Sequence, residues 1–259
     1  MKQFREALMN LLRNVIRPYL YTRFYFHRMT GTGAFRNNSL RYVGGGVQSH
    51  WNSLKQAIWK FHVKQFHEAS CSVASVASCL SAVRAIAKGD TVPIGQPDLL
   101  ERVATGHWKE RMSDNGYQGR RGLPLALLGR VVEDSFAAYG LAVRAVETVQ
   151  IPKRTVVNSP VRRTLKRRLL EFDRHGNGLI VAHFDQGSFI PALNIPHISP
   201  VGAYDSATDR VTILDVDPGE ASPYELDFKT FVKGLACDYH HVFDAFGYGS
   251  GGYVYIRIR

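Results

Sequence analysis

The stretch FHVKQFHEASCSVASVASCLSAVRAIAK, residues 61–88, constrains this chain more than any other. From Ser72 to Ala87 it contains neither Gly nor Pro. Val73, Val76, Ala77, Leu80, Val83 and Ala87 recur at spacings of three and four, the period of a buried helix face. Ser70 is a residue type that caps helix starts, and Gly89 is one that ends them. The pattern predicts a helix whose first turn carries Cys71. Unpaired N–H groups and the positive dipole end at that point favour a thiolate. Gln65, six residues upstream, brings an amide that can reach back beside the sulfur.

A cysteine near a helix start is most often only packed. Catalysis requires a histidine and an acid elsewhere in the chain. Both occur in PHISPVGAYDSATDRVTILDVDP, residues 196–218. HISPVGAY and VTILDV read as two strands, with Asp205, Ser206 and Thr208 supplying the turn between them. Such a hairpin can hold His197 on one strand within hydrogen-bond reach of Asp215 on the next. The acid would then fix the imidazole tautomer, and the imidazole would take the thiol proton. Asp217 competes for the same role, because it shares a strand face with Asp215.

These motifs together resemble the phytochelatin synthase family, a papain-like branch of cysteine peptidases and transpeptidases. The resemblance rests on four features. They are the interval of six from Gln65 to Cys71, the HISPVGAY segment, the acid eighteen residues after His197, and LIVAHFDQGSF at 179–189. It covers roughly residues 60–259 and is weakest between about 90 and 155. It implies an α+β, papain-like cysteine-peptidase fold with an N-terminal helical half and a C-terminal antiparallel sheet. Residues 1–50 form a basic amphipathic helix and linker in this reading, and 51–259 form the catalytic domain. Cys71 is the expected nucleophile, His197 the base and Asp215 its orienting acid, with Gln65 in the oxyanion hole. The implied reaction is acyl transfer or hydrolysis on glutathione or a related small thiol peptide. No organic cofactor or protein-bound metal is expected, although a metal ion can enter through a metal–thiolate substrate.

The sequence departs from the family at several points. Ser72 stands where a Gly usually follows the nucleophile, and no Lys or Arg follows the acid before Lys229. Gly251 and Gly252 stand near an expected Arg. The catalytic set is therefore retained while the substrate clamp is changed. Two other readings remain open. Leader-peptide cysteine peptidases also use Gln, Cys, His and a late Asp-Pro, which Asp217-Pro218 would match. A non-catalytic papain-like binding domain is the third.

The formal charge of +11 calls for an anionic partner. No nucleic-acid motif is present, so nucleic acid is not favoured. Residues 1–17 read as an amphipathic helix ended by Pro18, with Phe4, Leu8, Leu11, Leu12 and Val15 in one stripe. Residues 1–30 are basic and aromatic. They can meet an anionic membrane surface, or pack on the domain or on a second copy in a homodimer. The apolar run is too short and broken to span a bilayer, so a cytoplasmic or peripheral membrane location is expected. Three widely spaced cysteines make no disulfide framework. The adjacent His240 and His241 lack companion ligands.

The rest of the chain predicts helices over 51–63, 97–104, 124–140, 160–172 and 227–235. Strands are expected over 141–148, 178–184, 197–204, 210–216 and 252–258. Residues 31–50 read as a linker or ordered loop, and 108–125 as a loop whose Arg111, Arg120 and Arg121 can border a cleft.

Overall fold

A computed structural model describes residues 2–44, 46–153, 159–237 and 248–258. His240 and His241 lie outside them. The chain is α+β: eight α-helices and a seven-stranded antiparallel sheet lie among the described residues. The strand order is β1-β6-β5-β4-β3-β7-β2. The strands are β1 (Arg41–Tyr42), β2 (Ala145–Gln150), β3 (Gly178–Asp185), β4 (Pro196–Asp205), β5 (Arg210–Ile213), β6 (Tyr224–Asp227) and β7 (Gly252–Arg257).

The expected buried helix is α3 (Cys71–Lys88), and everything from Cys71 to Val83 is buried. Gly89 ends it in the left-handed conformation, φ 68°, which Gly adopts without the steric cost a Cβ imposes. Ser70 occupies the cap position, but its hydroxyl donates back to the His67 carbonyl instead of capping the helix. Helix α3 packs on β4, the strand that carries His197. The Ser75 hydroxyl joins the two elements, 2.8 Å from the Cys71 carbonyl and 3.0 Å from that of Ile198. Among the described residues α3 is the one helix long and apolar enough to cross a membrane, and it serves as the buried core helix of this fold.

Most of the expected elements form. Helices α2 (Ser53–Lys60), α4 (Gln96–Arg102), α6 (Leu125–Ala138), α7 (Pro160–His175) and α8 (Phe228–Leu235) fall where the patterns place them. Ser159 caps α7 by accepting from Arg162 N. Asp227 caps α8 through Thr230 N at 2.7 Å. The central strand β3 is buried along its whole length, as a strand covered on both faces must be.

Four features differ from expectation. First, Pro18 does not end the N-terminal helix: α1 runs from Lys2 to Thr30. Pro18 is exposed, so the backbone bond it forfeits lies on the solvent side. Buried Met9 and Leu20 anchor the helix on either side of it. Second, β5 stops at Ile213, which leaves Asp215 on the irregular segment beyond it. Third, β6 and β1 were not legible; residues 41 and 42 pair with Glu225 and Tyr224 at the sheet edge. Fourth, Trp108–Arg111 forms a short helix, α5, inside the expected loop.

One contact ties the outer helices to the site. Buried Phe189 stacks on Phe184 with ring centroids 4.4 Å apart, and Phe184 meets the His197 ring edge-on at 5.4 Å. Gly234 of α8 leaves the room for Phe189, since a Cβ there would fall 2.2 Å from the Phe189 ring. Gly→Ala in an open helix is stabilising by about 1 kcal/mol. Gly234→Ala is expected instead to destabilise by about 1–3 kcal/mol, the usual cost of overpacking. Urea unfolding checks this, and an unchanged or raised midpoint would contradict the packing.

Candidate active site

Cys71, His197 and Asp215 converge from three elements. Cys71 opens α3, His197 is the second residue of β4, and Asp215 follows β5. All three are buried, with Cys71 8% exposed at the floor of a cavity. The His197 Nε2 lies 2.7 Å from Asp215 Oδ1. The ring's other nitrogen, Nδ1, is the one left for Cys71, which lies near enough to favour the charged imidazole. The hairpin reading of residues 196–218 thus describes the observed juxtaposition. A bulge between Val201 and Ala203 reshapes the β4–β5 pairing next to it.

Asp215 spends both oxygens inside the protein. Oδ1 also accepts from Asp217 N at 2.9 Å, and Oδ2 accepts from the Tyr224 hydroxyl at 2.6 Å. Tyr224 belongs to β6, a strand whose position depends on long-range pairing, so no local pattern marked it. Lys64 Nζ holds the same segment by its backbone, donating to the Asp215 carbonyl at 2.6 Å and the Glu220 carbonyl at 2.7 Å. Asp217 is occupied elsewhere. Its Oδ2 accepts from Gln186 Nε2 at 2.9 Å, and its Oδ1 from Gly219 N at 2.8 Å.

The electrostatics follow from this geometry. Burial alone would push the His197 imidazolium down, but the Asp215 charge, its hydrogen bond and Cys71 override that and raise His197 to about 10. Burial alone would push Asp215 up, but His197, Tyr224 and Asp217 N bring it down to about 2. Burial raises the Cys79 thiol to about 12 and lowers His183 to about 4. His62 is lowered to about 4, by burial and then by Lys64. Burial thus favours the neutral ring at His183 and His62, while the Asp215 partnership favours the charged ring at His197.

Gln65 is placed less directly. Its backbone N–H donates to Val216 O at 2.8 Å, which seats it beside the acid segment. Its Nε2 donates to the Glu68 carbonyl at 3.4 Å, at the edge of hydrogen-bond range, and its Oε1 is buried without a partner. The expected Gly position after the nucleophile is filled by buried Ser72, which accepts from Trp108 Nε1 at 3.0 Å.

The cavity above Cys71 measures about 270 Å³. Its apolar wall includes Leu123, Ile195, Pro196 and Ile198, and α1 contributes Arg13, Ile16, Arg17 and Leu20. Arg121 also lines it, from the loop expected to border a cleft. Arg121 pairs with Glu68, and its Nε and Nη2 are buried without an acceptor. Arg13 is depressed by burial and next by the nearby Arg121 charge. Tyr248 donates to the Arg121 carbonyl over Gly122, where φ is +67° and a Cβ would collide with the Tyr248 hydroxyl. The α1 contribution was not legible, because the helix was expected to end at Pro18. Among the described residues no group of three or more His, Cys, Asp and Glu side chains is placed to hold a metal ion.

The shifted pair makes stability depend on pH. His197 is raised above its unfolded value of about 6.5, so its contribution is full below that pH and is lost as pH rises through about 10. Asp215 is lowered, so its contribution is present above about 4 and is lost as pH falls through about 2. The urea midpoint of the wild type is therefore expected to fall between about pH 6.5 and 10, and Asp215→Asn to remove most of that slope. An equal slope in both proteins would contradict the pairing.

Compared with family models and with curated proteins, the sequence matches none.

Proposed function

We propose that this chain is a papain-like, cysteine-dependent hydrolase or transpeptidase of phytochelatin-synthase type, acting on glutathione or a related small thiol peptide. The observation that carries the reading is the alignment Asp215–His197–Cys71, with a charged imidazole beside a sulfur at a helix N-terminus. A buried ion pair of this kind costs several kcal/mol to desolvate, so a purely structural role would be an expensive use of it.

In the proposed reaction Cys71 Sγ attacks a substrate carbonyl carbon and a C–S bond forms. Backbone N–H groups at the start of α3 and the Gln65 amide receive the developing oxyanion. Gln65 Nε2 must leave the Glu68 carbonyl to do so, and at 3.4 Å that bond gives little resistance. His197 Nδ1–H protonates the leaving amine as the C–N bond breaks. Water, or the amine of a second peptide, then attacks the thioester with His197 as base, and the Cys71 sulfur leaves. Asp215 keeps Nε2–H in place throughout. The occupation of Asp217 by Gln186 weighs against the leader-peptidase register.

The cavity narrows the substrate class. Among the described residues that line it, Arg13, Arg17 and Arg121 stand against the carboxylate of Glu68. A substrate carboxylate answers that excess of positive charge, and the apolar wall accepts a short side chain or thiol.

Product release from glutathione, followed by chromatography, tests the proposal. Wild-type protein is expected to liberate glycine, and Cys71→Ser to lose turnover while remaining folded. Arg121→Ala is expected to raise KM by about 10–100-fold with a smaller change in kcat, the loss of one charge-assisted hydrogen bond. Wild-type activity in Cys71→Ser would sink the nucleophile assignment. No turnover of glutathione or of a peptide library by the wild type would leave the binding-domain reading in its place.

A further inference from the structure

Helix α1 has two apolar faces. The inner one carries Met9, Ile16, Leu20 and Phe24. Met9 and Leu20 are buried, Ile16 and Leu20 wall the cavity, and Phe24 meets Phe35 edge-on at 5.5 Å. The outer one carries Phe4, Leu8, Leu11, Val15, Tyr19, Phe26 and Met29, every one of them exposed. Phe4 is 75% exposed, Val15 65% and Met29 86%, so among the described residues nothing covers this face at either end or in the middle. At 100° per residue these seven side chains fall within a sector of about 80°, turned about 130° from the inner face. The stripe runs nearly the full helix, about 40 Å.

Exposed Arg23 falls about 40° beyond one edge of the stripe; exposed Arg17 and Arg28 lie about 100–120° beyond the other, and Arg17 lines the cavity. The helix sequence holds six Lys and Arg residues against one acid, Glu6. Tyr19, Tyr21 and Tyr25 add side chains with an apolar body and a polar tip, also exposed.

We propose that the outer face of α1 docks on the surface of an anionic lipid bilayer, with the helix lying in the headgroup plane. A long exposed apolar stripe on a helix that is basic overall has the form of an interfacial helix. The charge argues for lipid over a second copy of the chain. Two such basic helices packed together would repel, whereas lipid phosphates neutralise their charge. This inference is independent of the proposed chemistry. It bears on it at one point: the helix that meets the membrane also walls the Cys71 cavity.

Co-sedimentation of the full chain with vesicles tests the proposal. Vesicles of phosphatidylcholine alone are compared with ones containing phosphatidylglycerol, at low and high salt. Binding is expected only to the anionic vesicles, and to weaken with salt. Leu11→Glu with Val15→Glu removes the stripe, and Arg23→Ala removes the charge beside it. The arginine variant is expected to weaken binding by about fivefold, and the glutamate pair by at least as much. Both variants should keep the wild-type circular dichroism and the wild-type rate of Cys71 alkylation. Equal binding to neutral and anionic vesicles would overturn the proposal, as would wild-type binding by the arginine variant. So would a dimer in sedimentation velocity that the glutamate pair abolishes, in a chain that ignores vesicles.

Discussion

The hydrogen-bonded ion pair between His197 and Asp215 is the constraint on which the rest of the site depends. Asp215 is fully buried, and a lone carboxylate there would be neutral or would unfold the segment that holds it. It stays charged because His197, Tyr224 and the Asp217 amide all donate to it. Each donor comes from a different place: β4, β6 and the turn after β5. The sheet order puts β4, β5 and β6 side by side, and the pair is what that order makes available. Lys64 adds a further tie, joining the approach to α3 to the acid segment through two carbonyls. The nucleophile end and the acid end of the site are thereby fixed to one another independently of His197.

The cavity end is built differently. Its charged groups come from α1, from the loop before α6 and from Glu68, and among the described residues positive charge is in excess. Arg121 satisfies one nitrogen with Glu68 and leaves two buried donors without an acceptor, a costly state for a guanidinium. In the proposed reading these unpaired donors gain free energy from an anionic ligand. The basic clamp of the resembled family would follow the acid; here positive charge at the cavity comes from Arg121 and, through Arg13 and Arg17, from the N-terminal helix.

The sequence revealed Cys71, His197 and Asp215 better than their surroundings. The period of α3 and its Gly stop were legible because they are local and because the helix is buried on all sides. The His197–Asp215 pairing was legible because both residues lie in one hairpin. The choice of Asp215 over Asp217 was not open to periodicity, since the two share a face; a hydrogen bond from Gln186, 31 residues away, settles where Asp217 points. Tyr224 was hidden because a four-residue strand gains its identity from its neighbours. Pro18 misled because local propensity is a weak prior where packed residues on both sides of it hold the helix. Arg13, placed off the apolar stripe of a surface helix, gave no sign that it would face a cavity.

The central claim is that His197 is held charged beside Cys71 by a buried Asp215. Nitrogen NMR of the histidine rings, with His197 assigned by its loss in His197→Ala, reads that charge directly. The His197 ring is expected to stay doubly protonated at about pH 8, well above the ordinary histidine value of about 6.5, and Asp215→Asn to return it toward that value. A His197 ring that titrates near 6.5 in the wild-type protein would contradict it.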